Sequence, residues 1–339
     1  MRIEWAGQEE TTMIEINRRL LLGGAGLALA APSLMTRAAI AQGADTAMSI
    51  DHAMPPETHR FKLGNFEVVV VKDGARASGK PQETFGTNQT PEAIGELLEA
   101  NFLPAENFVN SFAPVLVNTG SEVILFDTGL GEGGRANGLG RLVEGLTAAG
   151  YKREDVTIVV ITHMHGDHIG GLMEGGKPAF PNARYVTGQA EYDFWVDPAR
   201  AGTPAEGGHK GVLANVKPLA EKMTFIGDGG DVVGGITGMA AFGHSPGHMI
   251  YRLESEGRQL VLAADTANHF VLSLQRPEWE VKFDMDKAAA AETRKRVFDM
   301  IATDKLAFIG YHMPFPAVGY VEKLDTGYRY VPKSYQFDI

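Results

Sequence analysis

Val156-Thr157-Ile158-Val159-Val160-Ile161-Thr162-His163-Met164-His165-Gly166-Asp167-His168 is the stretch on which the fold turns. Its first half is a continuous apolar run of the length and β-branched composition of a buried strand. Its second half packs His163, His165, Asp167 and His168 into six residues. In an extended loop the spacing of two points His163 and His165 the same way. Asp167 and His168 are adjacent and can face a second centre. Neutral imidazoles and carboxylates are good ligands for zinc and similar divalent ions. Such a cluster would be costly to bury without one. The competing reading, a solvated polar loop, fits poorly with so many histidines in so few residues.

Composition narrows the chemistry further. The 339 residues contain no cysteine, so any metal is held by histidine and carboxylate, with no disulfide framework and no thiolate chemistry. At 44% hydrophobic and 22% charged, the chain is ordinary globular protein with ample material for a core. A formal net charge of −11 argues against a nucleic-acid partner, because phosphate binding needs a basic patch.

Outward from the quoted stretch, strands and helices alternate. Phe66-Glu67-Val68-Val69-Val70-Val71 is a strand closed by a turn at Lys72-Asp73-Gly74. Residues 91–101 have helical spacing, with Pro91 at the start. Strands follow at 115–118 and 123–126, the second running into Asp127-Thr128-Gly129. Helices are predicted at 142–149, 189–195, 212–223 and 287–301, and strands at 184–187, 236–242, 250–253, 260–264 and 306–309. Mixed in this order, they indicate α/β layers.

Ahead of the strands, Arg18-Arg19 precede an apolar run at 20–31 and the small-x-small pattern Ala39-Ile40-Ala41. Together they have the form of a cleaved twin-arginine export signal over residues 1–41, with Met13 as the alternative start. The apolar run is well short of the roughly 20 residues a membrane span needs, so no stable membrane anchor is expected. Residues 42–60 read as a polar lead-in and 61–339 as the catalytic domain; the expected location is periplasmic or secreted.

His-x-His-x-Asp-His after a buried strand resembles the signature of the metallo-β-lactamase superfamily, and its other motifs occur in order. Gly243-His244-Ser245-Pro246-Gly247-His248 resembles the next histidine motif, Asp265 the bridging carboxylate, and His312 the last histidine. Asp127-Thr128-Gly129 matches the early structural turn. The resemblance implies a four-layer αββα sandwich and two divalent metal ions, zinc by expectation. One would be held by His163, His165, His244 and Asp265, the other by Asp167, His168, Asp265 and His312. A hydroxide bridging the two ions would attack the substrate, with Asp167 also shuttling a proton to the leaving group. His248 is read as supporting the site rather than ligating.

Stretches such as Ala190-Glu191-Tyr192-Asp193-Phe194-Trp195 and Gly327-Tyr328-Arg329-Tyr330-Val331-Pro332 look like the group containing methyl parathion hydrolase and the quorum-quenching lactonases. That likeness implies hydrolysis of lactones, aryl esters or organophosphate triesters. Trp195 would be an aromatic wall of the pocket, and His269 a residue facing the substrate. Lactonases of this group commonly carry tyrosine three residues after the bridging Asp, where this chain has Asn268; a tyrosine-assisted mechanism is therefore not expected. The alternatives are a β-lactamase, a glyoxalase-II-like thioesterase and an iron-dependent oxidoreductase of the same fold. Asp265 argues against the first, export against the second, and His165 against flavin-linked di-iron members, which place Glu there. The expected partner is a small-molecule substrate, with a homodimer left open.

Overall fold

The computed structural model describes residues 57–335. The stretch read as an export signal and almost all of the lead-in lie outside the described residues. The first of two seven-stranded sheets contains β1 (Thr58–Leu63), β2 (Phe66–Val71), β3 (Val115–Asn118), β4 (Val123–Phe126), β5 (Ile158–Ile161), β6 (Arg184–Gly188) and β7 (Met223–Ile226), lying in chain order. It is antiparallel from β1 to β4 and parallel from β4 to β7. The second contains β8 (Asp231–Val233), β9 (Ile236–Ala240), β10 (Met249–Ser255), β11 (Arg258–Ala264), β12 (Ala307–Gly310), β13 (Val318–Leu324) and β14 (Gly327–Pro332), again in chain order. Only β11 and β12 pair parallel there. The helices are α1 (Pro91–Ala100), α2 (Leu142–Ala148), α3 (Gly166–Ile169), α4 (Gln189–Val196), α5 (Glu206–Asn215), α6 (Leu272–Gln275) and α7 (Lys287–Thr303).

Side-chain alternation explains the layering. Val68, Val70, Val117, Ile124 and Val160 of the first sheet share one apolar core with Tyr251, Leu253 and Leu262 of the second. Phe126 meets Tyr251 edge-on at 5.2 Å between ring centroids. The alternate residues Val69, Val71, Leu116, Val159 and Ile161 turn to the outer face, where they pack with Leu146 of α2, Trp195 of α4 and Val212 of α5. Strands buried on both faces need apolar residues at every position, which is why the run at Val68–Val71 does not alternate with polar residues. On the far side, Val297, Phe298 and Ile301 of α7 cover the second sheet, with Phe298 5.4 Å from Phe308. The result is the expected αββα sandwich.

Two local readings are corrected. The helix expected at 212–223 is α5, which ends at Asn215 and is followed by a 3-10 segment at Lys217–Lys222. Pro218, lacking an N–H, cannot continue the α-helical hydrogen bonding. β1 begins at Thr58, inside the stretch read as lead-in, because it pairs with β2 in register Thr58↔Val71 and buries Phe61 and Leu63. Residues 327–332 form the second strand of a C-terminal hairpin with β13.

Candidate metal centre

Five strand ends converge on one edge of the sandwich. Asp127 follows β4, the His163–His168 loop follows β5, His244 lies between β9 and β10, Asp265 follows β11 and His312 follows β12. Two of these exits are conformationally unusual: Asp127 has φ 61° and Ala264 φ 42°. Aspartate tolerates the left-handed region, alanine much less so. The cost at Ala264 accompanies a register shift between Leu262 and Ala264 that turns Asp265 out of the ladder. Gly243, at φ +126°, lies so close to the backbone of Ala290 that a Cβ there would collide with it.

The seven residues named from sequence come together. The donor atoms of His163, His165 and His244 lie within 4.8 Å of one another, as do those of His163, His168 and Asp265, and those of Asp167, His168 and His312. His165 Nδ1 is 3.1 Å from His163 Nε2 and 2.9 Å from His244 Nε2. Asp265 sits centrally: one oxygen is 3.3 Å from His244 Nε2 and 3.0 Å from His312 Nε2, the other 3.3 Å from His168 Nε2.

The outer contacts fix the protons. His168 Nδ1 donates to Asp127, His244 Nδ1 to Asp284 and His312 Nδ1 to the Ser111 carbonyl, each at 2.9 Å. Thr162 donates its hydroxyl to Asp127 and so accepts from His163 Nδ1 at 3.1 Å. With protons placed on Nδ1, four Nε2 lone pairs converge with the carboxylates of Asp265 and Asp167. His168 Nε2 and Asp265 Oδ1, both buried and 3.3 Å apart, make no hydrogen bond among the described residues. Acceptors facing acceptors in a buried space require a cation, and nitrogen and oxygen donors of this kind suit zinc. The fit is good.

Electrostatics agree. Burial pushes His163 well below the ordinary imidazole value and His165 down to about 3, keeping both neutral as ligands must be. Burial opposes charge on His168 and His312 too, but Asp265 and the neighbouring carboxylates outweigh it and raise both. Burial likewise works against ionising Asp265, yet His312, His168 and His244 hold it well below the usual carboxylate range.

Other supports were not legible in the sequence. Glu191, fully buried on α4, accepts from Met164 N, Trp195 Nε1 and Gly247 N at 2.8 Å and from Ser245 Oγ at 2.7 Å. One carboxylate therefore ties the His163–His168 loop to the His244 loop. Burial raises its pKa against the pull of those donors. Asp284, which holds His244, is held in turn by the buried Arg294 at 2.8 Å. Asp73 accepts from the backbone N–H groups of Leu130, Gly140 and Leu142 and braces the loop after Asp127-Thr128-Gly129. Glu191, between Ala190 and Tyr192, and Asp284, between Phe283 and Met285, are charged residues set between apolar neighbours, whereas Asp73 and Arg294 lack even that signal.

Trp195 is not the pocket wall expected of it. It is 3% exposed, packs in the outer core with its indole donating to Glu191, and presents its ring to His165 at 6.0 Å. Glu191, four residues earlier on the same helix face, captures the indole N–H and draws the ring inward. Phe85, Phe112 and Phe283 instead wall the cleft of about 520 Å³ whose floor includes His165, Asp167, His244, Asp265 and His312. His248 donates from Nδ1 to the Ala241 carbonyl and accepts the Asp265 N–H at Nε2, so both nitrogens are spent on support. His269 is buried and walls a second cavity beside the cleft.

Comparison with known proteins places the chain. The family model for the metallo-beta-lactamase superfamily matches residues 111–309. An N-acyl homoserine lactonase of Bacillus cereus is 29% identical over 209 residues, covering 58% of this chain and 76% of that protein. AidC, a dizinc quorum-quenching lactonase solved with a homoserine product, aligns at TM-score 0.77 and 25% identity over 84% of this chain and 99% of its own. AbOPH, a hydrolase in the beta lactamase superfamily, aligns at TM-score 0.75 and 25% identity over 83% and 98%. The family match runs from β3 into β12, across the strands whose ends carry the cluster, and the chain belongs to the metallo-beta-lactamase superfamily.

Proposed function

We propose that this protein is a binuclear, zinc-loaded hydrolase of lactones, aryl esters or organophosphate triesters. The observation that carries the reading is the convergence of five imidazole ring nitrogens and two carboxylates on the floor of an open cleft, with His168 Nε2 and Asp265 Oδ1 making no hydrogen bond among the described residues. His163, His165, His244 and Asp265 would hold one ion; Asp167, His168, Asp265 and His312 the other. Two such ions would supply an acidified water and polarise the carbonyl or phosphoryl oxygen.

The chain's own residues do the rest. Asp265 faces both groups and sets their separation. Asp167, with its side chain 23% exposed where that of Asp265 is 3%, is the carboxylate able to take a proton from the cleft and return it to a leaving alkoxide. Tyr311 donates its hydroxyl to the Asp167 carbonyl at 2.6 Å and steadies that loop. Phe85, Phe112 and Phe283 exclude water and favour flat or acyl groups. Support for lactone substrates comes from a similar protein, a dizinc quorum-quenching lactonase, while aryl esters and phosphotriesters rest on the resemblance read in the sequence.

Elemental analysis of metal-replete protein, followed by assay against lactones, aryl esters and dialkyl aryl phosphates, tests the reading. About two ions per chain and turnover of at least one class are expected. A single equivalent, or cleavage of β-lactams alone, would overturn it.

A further inference from the structure

Beside the metal cleft lies a second cavity of about 390 Å³, walled by Leu98, Leu103, Phe108, Phe270 and Phe315 and sharing Asn268 and His312 with the cleft. Most polar groups on its wall are already engaged. Lys72 is paired with Glu57, and Ser111 donates to the Met313 carbonyl. Asn268 donates to Asp265, its buried Oδ1 remaining an acceptor without a partner among the described residues, and His312 donates to the Ser111 carbonyl and turns Nε2 to the metal centre. Asn107 is exposed. His269 differs from these. Its ring, 7% exposed, stacks on Phe270 at 5.1 Å and meets Phe85 edge-on at 5.0 Å. Nδ1 accepts the backbone N–H groups of Val271 and Leu272 at 3.1 and 3.0 Å, opening α6. An imidazole whose Nδ1 accepts two N–H groups carries its proton on Nε2. Burial drives its pKa down to about 3, so the ring stays neutral and the tautomer is fixed. Nε2–H has no partner among the described residues.

We infer that His269 is a specificity-determining donor: it selects substrates whose apolar arm, lodged in this cavity, carries a second hydrogen-bond acceptor such as an amide, ester or nitro oxygen. The inference rests on the hydrolase reading above for the scissile group, and it concerns the arm. In an apolar chamber an unmet N–H is penalised, so an arm with an acceptor gains over an equally large hydrocarbon arm. The preference is set by binding and appears in KM, because the arm lies away from the reacting atoms.

The test uses metal-loaded protein and pairs of esters identical except for a carbonyl replaced by methylene in the arm. A parallel calorimetric titration uses the corresponding amides, which are inert to turnover. Wild type should favour the acceptor-bearing member by about ten-fold, in KM and in Kd alike. His269→Asn keeps an acceptor near the Nδ1 position for the start of α6 but removes the Nε2 donor, and should bring the ratio close to one. His269→Gln can keep a donor near Nε2 while losing the cap, and should retain part of the preference. Equal binding of the paired amides to wild type overturns the inference, as does full discrimination in His269→Asn. Failure to hydrolyse any ester with amide discrimination intact would instead count against the hydrolase reading alone.

Discussion

Replacing Glu191 with Gln probes the least visible part of the site. The substitution is nearly isosteric, so packing against Trp195 is preserved while the acceptor capacity changes. Wild-type Glu191 accepts four hydrogen bonds, from Met164 N, Trp195 Nε1, Ser245 Oγ and Gly247 N, all between 2.7 and 2.8 Å. An amide offers one oxygen, and its NH2 is best placed toward Ser245 Oγ, whose hydroxyl can turn to accept, rather than toward Met164 N and Trp195 Nε1, which cannot. Gly247 N then loses its acceptor, and the three remaining hydrogen bonds weaken as the carboxylate charge is removed. Hydrogen bonds to charged groups are worth about 1.5–3 kcal/mol each and buried networks are not additive, so a loss of about 3–5 kcal/mol is expected. For a domain of this size that corresponds to a melting temperature lower by about 10 °C. Because the lost and weakened bonds hold the loops of His163, His165 and His244, chelator titration should release the ion of that group earlier. The ion of Asp167, His168 and His312 should be retained. Calorimetric melts and metal analysis along the titration provide both readouts. A Glu191→Gln protein that melts within about 1 °C of wild type and releases both ions together would refute the reasoning.

Other outcomes follow from the same geometry. Asp265→Ala should lower the occupancy of both metal positions together, and elemental analysis showing loss of only one ion would contradict its shared placement. In the ion-free protein the carboxylates raise His168 and His312, so their stabilising protons are fully present below about pH 6.5 and are lost as pH rises through the raised values. Ion binding displaces those protons: affinity should fall as pH falls, and calorimetry in buffers of different ionisation enthalpy should detect proton release on loading. Trp195→Ala should cost about 3–5 kcal/mol as a core deletion and reduce turnover of all substrates alike. Phe283→Ala, at a residue 45% exposed on the cleft wall, should instead affect aryl substrates selectively at nearly unchanged stability. Selective loss of aryl activity in Trp195→Ala at wild-type stability would reverse that assignment. Fusing residues 13–42 to a reporter should direct it across the inner membrane, and replacing Arg18 and Arg19 with Lys should block this; cytoplasmic retention with the native arginines would reject the export signal.

Covalent order alone determined much of this protein. The apolar runs at Val68–Val71 and Ile158–Ile161 specify buried strands because a strand covered on both faces tolerates no polar position. The cluster from His163 to His168 identifies the site because those residue types share six positions, which ordinary composition does not produce. His244, Asp265 and His312 could be named only through the resemblance, since each is isolated in sequence and separated by whole strands. Tertiary structure decided what lies around them. Whether Trp195 faced cleft or core depended on Glu191, and nothing local reveals that its carboxylate is met by donors from residues 164, 245 and 247. The pairing of Asp284 with Arg294, the support from Asp73 and the fixed tautomer of His269 are likewise products of long-range packing. Apolar periodicity is written residue by residue, because burying a strand or helix face requires it. Satisfying a buried polar group requires only one partner, which can come from anywhere in the chain, so it leaves no local pattern to read.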